Sequence, residues 1–221
     1  MKDAIRLWLT TALMVISGAA GAQSVSQQGD ANTMTRESMS AATASLRVLT
    51  QLVTDENYAA MGFASKGEAA SARLGEPLPV YMIQLDELRS YGPGQDIAAM
   101  LKRLDQVVYP VLSGDNVRSA VVVEKRKSGW QAVSFGAPNY AKAVARARAA
   151  ATDAAAGSHS VVSVAALRTT FVSYRRADGT LMFIPIVDNP ELKLAIDRPL
   201  SAEQALTALV PEAKRYNGLP L

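Results

Sequence analysis

The sequence predicts an α+β fold: a mainly antiparallel sheet built from hairpins and meanders, with helices packed on one face. Three observations lead there. Apolar residues recur every three or four positions over residues 33–53 and 97–104, and residues 139–156 form an Ala-rich run, all of them helical patterns. Runs rich in valine, isoleucine and aromatics at 80–85, 107–112, 117–126 and 159–187 have strand composition. Between the strand runs lie tight turn signals, Ser113-Gly114-Asp115-Asn116, Lys127-Ser128-Gly129 and Asp178-Gly179, which is the spacing of meanders.

Residues 1–22 have the pattern of an export signal. Lys2 and Arg6 give a basic start, diluted by Asp3, and residues 7–16 (LWLTTALMVI) are a ten-residue apolar run. Ala20-Gly21-Ala22 then fits a small-residue cleavage site before Gln23. A membrane-spanning helix needs about 20 apolar residues, and Gly18, Gly21 and the polar stretch from Gln23 to Asp30 end this run too early. The expectation is therefore a periplasmic or secreted chain with no transmembrane helix once the signal is removed, an uncleaved anchor being the alternative. Residues 23–32 (QSVSQQGDAN) are polar and aperiodic, the pattern of a flexible leader. The globular domain is expected over 33–221.

Along that domain, Met39, Ala42, Leu46, Leu49 and Val53 form one stripe of a helix. A second helical piece is expected from Thr54, with Asp55 and Glu56 complementing its N-terminal dipole and Gly62 stopping it. Ser65 and Glu68 match a capping box, opening a helix kept short by Gly67 and Gly75. Residues 80–85 (VYMIQL) are apolar on both alternating faces apart from Gln84, so they read as an interior strand. After the loop Tyr91-Gly92-Pro93-Gly94, Asp96 caps a helix whose face is Ile97, Met100, Leu101 and Leu104. Pro110 assigns 107–112 to a sheet edge or a broken strand.

For the hairpin 117–135, a three-residue loop with Gly129 at positive φ pairs Val121 with Phe135 and Val123 with Val133. It places Trp130 with Glu124, Arg126 and Ser134 on the other side. The helix at 139–156 turns Lys142, Arg146 and Arg148 outward, and strands follow over 159–187. Ser201 and Gln204 form another capping box before a final amphipathic helix that Pro211 halts or kinks. Residues 111–130 also echo 161–180 at an offset of fifty, matching Val111 with Val161, Ser113 with Ser163, Arg118 with Arg168, Arg126 with Arg176 and Gly129 with Gly179 among others. The echo raises a duplicated α-β-β-β unit, two lobes joined through the helix at 139–156.

Composition narrows the chemistry. The chain has 221 residues, no Cys, one His and a formal charge of +3, and 19% of residues are charged. The balance is far from a polyanion binder's, and no nucleic-acid motif is present. The lack of Cys removes thiolate metal sites and redox chemistry, and with a single His no H-E-x-x-H motif exists. No cofactor is expected. His159 stands between Ser158 and Ser160, but neighbours in an extended chain point to opposite faces, so adjacency does not make a catalytic pair. Asp55 with Glu56 and Asp86 with Glu87 are the carboxylate pairs a glycoside-type hydrolase would need, if the fold set them face to face.

The candidate binding residues are basic hairpin tips and an aromatic: Lys125, Arg126 and Lys127 in one tip, Arg175 and Arg176 in the other, with Trp130 beside the first. If the tips converge they form a patch for carboxylate or phosphate groups. Charged tips also guard a sheet edge, and strand aromatics also pack under helices. The functional expectation is an exported, non-catalytic binding or assembly-accessory protein whose partner is another envelope protein or an anionic envelope component. The alternative is an exported hydrolase using carboxylates or His159.

Overall fold

The computed structural model describes the backbone of residues 21–217 and the side chains of residues 36–217; the export signal expected over 1–22 lies almost wholly outside the described residues. The chain divides into a unit ending at Thr35, helical from Gly21, and a body from Arg36 onward. Helix α1 (Gly21–Leu52) runs back through 23–32, where the polar composition predicts a leader. No proline interrupts this span, and a helix nucleated by the packed turns that follow extends by one hydrogen bond per added residue. Within the body, Ser38, Ala42, Ser45 and Leu49 are buried, with Met39 and Leu46 half-buried beside them.

No second helix follows Thr54. The Asn57 side chain accepts from the Thr54 N–H (2.7 Å) and donates to the Leu52 carbonyl (2.8 Å), taking backbone groups a helix would use. The segment turns instead, ending at Gly62 with φ +94°. Helix α2 (Lys66–Ala70) is short as expected, with Ser65 Oγ accepting from the Glu68 N–H.

The sheet comprises β1 (Arg73–Leu74), β2 (Leu78–Met82), β3 (Lys102–Ser113), β4 (Asn116–Arg126), β5 (Gly129–Gly136), β6 (Ser160–Val164), β7 (Thr169–Arg175), β8 (Leu181–Pro185) and β9 (Leu200–Ser201). Its order is β5-β4-β3-β2-β6-β7-β8-β9, with β1 also on β3. Every pairing is antiparallel except β2 with β6. β2 is thus interior, as its two-sided apolar pattern requires, and separates two three-strand meanders. β3 is not an edge. Pro110 sits where β1 ends and β2 has not begun, and its carbonyl accepts from the Gly75 N–H (2.7 Å). A missing N–H is tolerated in that gap, because no ladder partner faces it.

Helices cover both faces of the sheet, not one. On the front face, α5 (Pro138–Ala150) packs Ala141, Val144 and Ala147 against Val80, Val108, Val161 and Ile184. On the back face, α1 covers Val107, Tyr109, Val121 and Val123. At the other end of that face, α3 (Leu85–Ser90), α4 (Ile97–Met100) and α6 (Ala202–Arg215) cover Val162, Val164, Phe171 and Phe183. The cause is visible in the strands: Val107-Val108 and Val161-Val162 put valine on both faces, so a single layer of helices would leave one apolar face wet. α6 opens on the expected capping box and passes through Pro211 to Arg215. α4 ends at Met100, and Leu104 belongs to β3.

The β4–β5 hairpin keeps Gly129 at φ +103° and pairs Val121 with Phe135. Nearer the tip the register slips by one residue, pairing Lys125 with Trp130 and Val123 with Ala132, and Val133 becomes a bulge. The slip moves Trp130 to the back face, where it packs beside the α1 cluster instead of sharing a side with Glu124 and Arg126. The duplicated unit is not confirmed. Both halves are meanders, yet one opens with a tight turn at Gly114 and the other with a 3₁₀ turn at Ala165–Leu167. The paired positions Val111 and Val161 also lie on opposite faces.

Candidate binding surfaces

Strand directions decide the fate of the basic tips. β4 runs parallel to β2 and β6 through its antiparallel steps, whereas β7 runs against them. The two tips therefore lie at opposite ends of the sheet and do not form one patch. Arg126 pairs with Glu124 at 3.1 Å, and Arg176 pairs with Asp153 at 2.5 Å. The Tyr174 hydroxyl, donating to Asp153 at 2.8 Å, and then Arg176 hold that carboxyl below its usual range. Arg175 donates to the Gly179 carbonyl at 3.0 Å and has no carboxylate partner among the described residues. Nor have Lys125 and Lys127. Trp130 is half-buried, with its indole N–H enclosed and unpaired.

His159 precedes β6 with its ring 6.0 Å from that of Tyr174. Burial, then the nearby Arg148 charge, lowers its pKa, so the imidazole is neutral. Its Nε2 is buried without a hydrogen-bond partner, and no carboxylate stands at hydrogen-bond distance among the described residues. In the acidic pairs, Asp55 faces Lys66 (3.9 Å), Asp86 faces Arg89 (2.9 Å), and Glu87 faces Lys102 (3.0 Å). Each carboxylate whose pKa moves, Glu56, Glu68, Asp153 and Asp178, moves down. A general acid needs the opposite shift.

Hollows also flank α6, at Glu191, Gln204 and Arg215, and α5, at Lys142 and Arg146; two smaller clefts lie directly on the sheet. A back-face cleft of about 380 Å³ lies between α4 and strands β2, β6, β7 and β8. Ser160 and Ser173, a cross-strand pair, sit in it with Oγ atoms 2.5 Å apart, both buried, and Arg175 stands two residues along β7 on the same side. The second site adjoins the sheet edge. β5 is the terminal strand, and among the described residues nothing pairs with its outer edge. Residues 129–136 (GWQAVSFG) carry no charge and no proline, the usual guards of an exposed edge.

The bulge turns both Val133, 40% exposed, and Ser134 into a front-face cleft of about 270 Å³. Its floor is Val80, Val108 and Val161, and its rim includes Gln106, Thr170 and Tyr140. No charged side chain lines it. Burial pushes the Tyr140 hydroxyl up to about 12, so it stays a neutral donor. Sequence reasoning missed both clefts, although Ser160, Ser163 and Ser173 stand out as hydroxyls inside otherwise apolar strands. Among the described residues no helix is long and apolar enough to cross a membrane. No protein-family model, curated protein or solved structure matches the chain.

Proposed function

We propose that this is an exported, non-catalytic binding protein that takes an extended segment of another envelope protein along the outer edge of β5. The uncharged, proline-free edge, whose one guard is the bulge at Val133, supports the reading. Along these eight residues the backbone donors and acceptors turned away from β4 are free, and a strand added there satisfies them by main-chain pairing. Such a strand would set alternate side chains over the uncharged front cleft beside Val133 and Ser134, which favours small or apolar residues in the incoming segment. Lys125 and Lys127, at the end of the same hairpin, offer unpaired positive charge to an acidic residue flanking it.

The double variant Gln131→Lys, Val133→Glu places charge on the edge without touching the core. Immobilised full-length chain should capture one envelope protein reproducibly, and the variant should lose at least about 90% of it, a tenfold loss. Equal capture by the variant overturns the edge reading, and concentration-dependent self-association through β5 replaces the partner with a second copy. Export is tested by the intact mass of native material, which should lack residues 1–22.

A further inference from the structure

The back-face cleft is separate from the β5 edge, and its lining differs in kind. Two hydroxyls bonded to each other use one hydrogen between them, so the Ser160–Ser173 pair keeps one O–H without an acceptor. Ser173 is 1% exposed and Ser160 9%, and both line the cleft, so that donor meets solvent only from the cleft. At the same cleft Arg175 spends one guanidinium N–H on Gly179 and retains the others. The backbones of Ser173 and Arg175 are about 7 Å apart along β7, a gap the arginine side chain can close on leaving Gly179.

No Asp or Glu lines the cleft, and His159, which also lines it, is neutral, so its one full charge is the positive Arg175. Opposite these donors stand Tyr81, Leu101 and Leu181, an apolar wall. At roughly 30 Å³ per water-sized group, the volume suits a ligand of about a dozen heavy atoms.

We infer that this cleft binds a small monocarboxylate with an apolar body, its carboxylate accepting from Arg175 and the Ser160–Ser173 hydroxyl pair and its hydrocarbon against Tyr81, Leu101 and Leu181. One cation and one spare hydroxyl match a single negative charge; a phosphate monoester, with up to two charges, would leave one uncompensated. This inference does not rest on the β5 partner.

The test is calorimetric titration of the full-length chain with octanoate, octanol, octylamine and octyl phosphate. Octanoate should bind, octanol at least about tenfold more weakly and octylamine not at all, since a hydrogen bond to a charged group is worth about 1.5–3 kcal/mol, or roughly ten- to a hundredfold. Arg175→Gln, at an exposed position that leaves the core intact, should weaken octanoate about tenfold or more by the same margin. Leu101→Trp, filling the cleft, should abolish binding while the circular dichroism is retained. Equal affinity for octanol, tighter binding of octyl phosphate, an unchanged Arg175→Gln variant, or no octanoate binding at 10 mM would each overturn the assignment (about 10 mM being a weak limit, near 3 kcal/mol).

Discussion

Gly62→Ala should destabilise the fold severely, and Gly94→Ala only mildly, although both glycines have positive φ, +94° and +83°. An L-residue in that region costs about 1–2 kcal/mol from its own Cβ. At Gly94 that is the whole effect, because nothing lies within 4 Å of an added Cβ. At Gly62 the Cβ would overlap the backbone carbonyl of Arg118 and stand 2.7 Å from Pro138 Cβ. The loop, β4 and the start of α5 would have to separate, an overpacking penalty of about 1–3 kcal/mol.

The sum is about 2–5 kcal/mol for Gly62→Ala. With a urea slope near 2 kcal/mol/M, the midpoint should fall by about 1–2.5 M, against about 0.5–1 M for Gly94→Ala. Urea unfolding followed by circular dichroism checks both. Equal midpoints for the two variants would refute the close docking of this loop against the sheet.

Leu206→Ala empties a fully buried position in the α6 cluster and should cost about 3 kcal/mol, whereas Val48→Ala, at a 45% exposed position, should change stability by under about 0.5 kcal/mol; the same urea titrations measure both. His159 has a folded pKa below its unfolded value near 6.5, so the unfolded chain binds the extra proton. Stability is therefore complete above about pH 6.5 and declines as pH falls below it, and His159→Gln should flatten that decline. Thermal midpoints at about pH 5.5 and 7.5 test this; equal slopes in both chains would contradict it.

Local chemistry was the most legible part of the sequence. Ser65, Asp96 and Ser201 cap helices as their spacing indicates, because a cap is decided within four residues. Gly129 and the β2 interior position follow from turn geometry and a two-sided apolar pattern in the same way. What failed depends on distant partners. Pro110 argues for an edge until Gly75 is seen to occupy the gap beside it, and the register near Trp130 was decided by burial against α1, which no hairpin rule contains. The basic tips shared a turn chemistry but not a location, since the parallel β2–β6 pairing sends one to each end of the sheet. The serine pair becomes a site only when β6 and β7 are placed side by side, thirteen residues apart in sequence.

Amide hydrogen exchange over residues 129–136 tests the binding edge most directly. In the isolated chain, the β5 amides turned away from β4 should exchange at nearly open-chain rates, alternating with protected ones that pair inward. On adding the envelope protein captured by the immobilised chain, the fast set should become protected while amides in α1 and β7 keep their rates. Unchanged exchange along β5 in the complex, with protection gained elsewhere, would contradict strand addition at this edge.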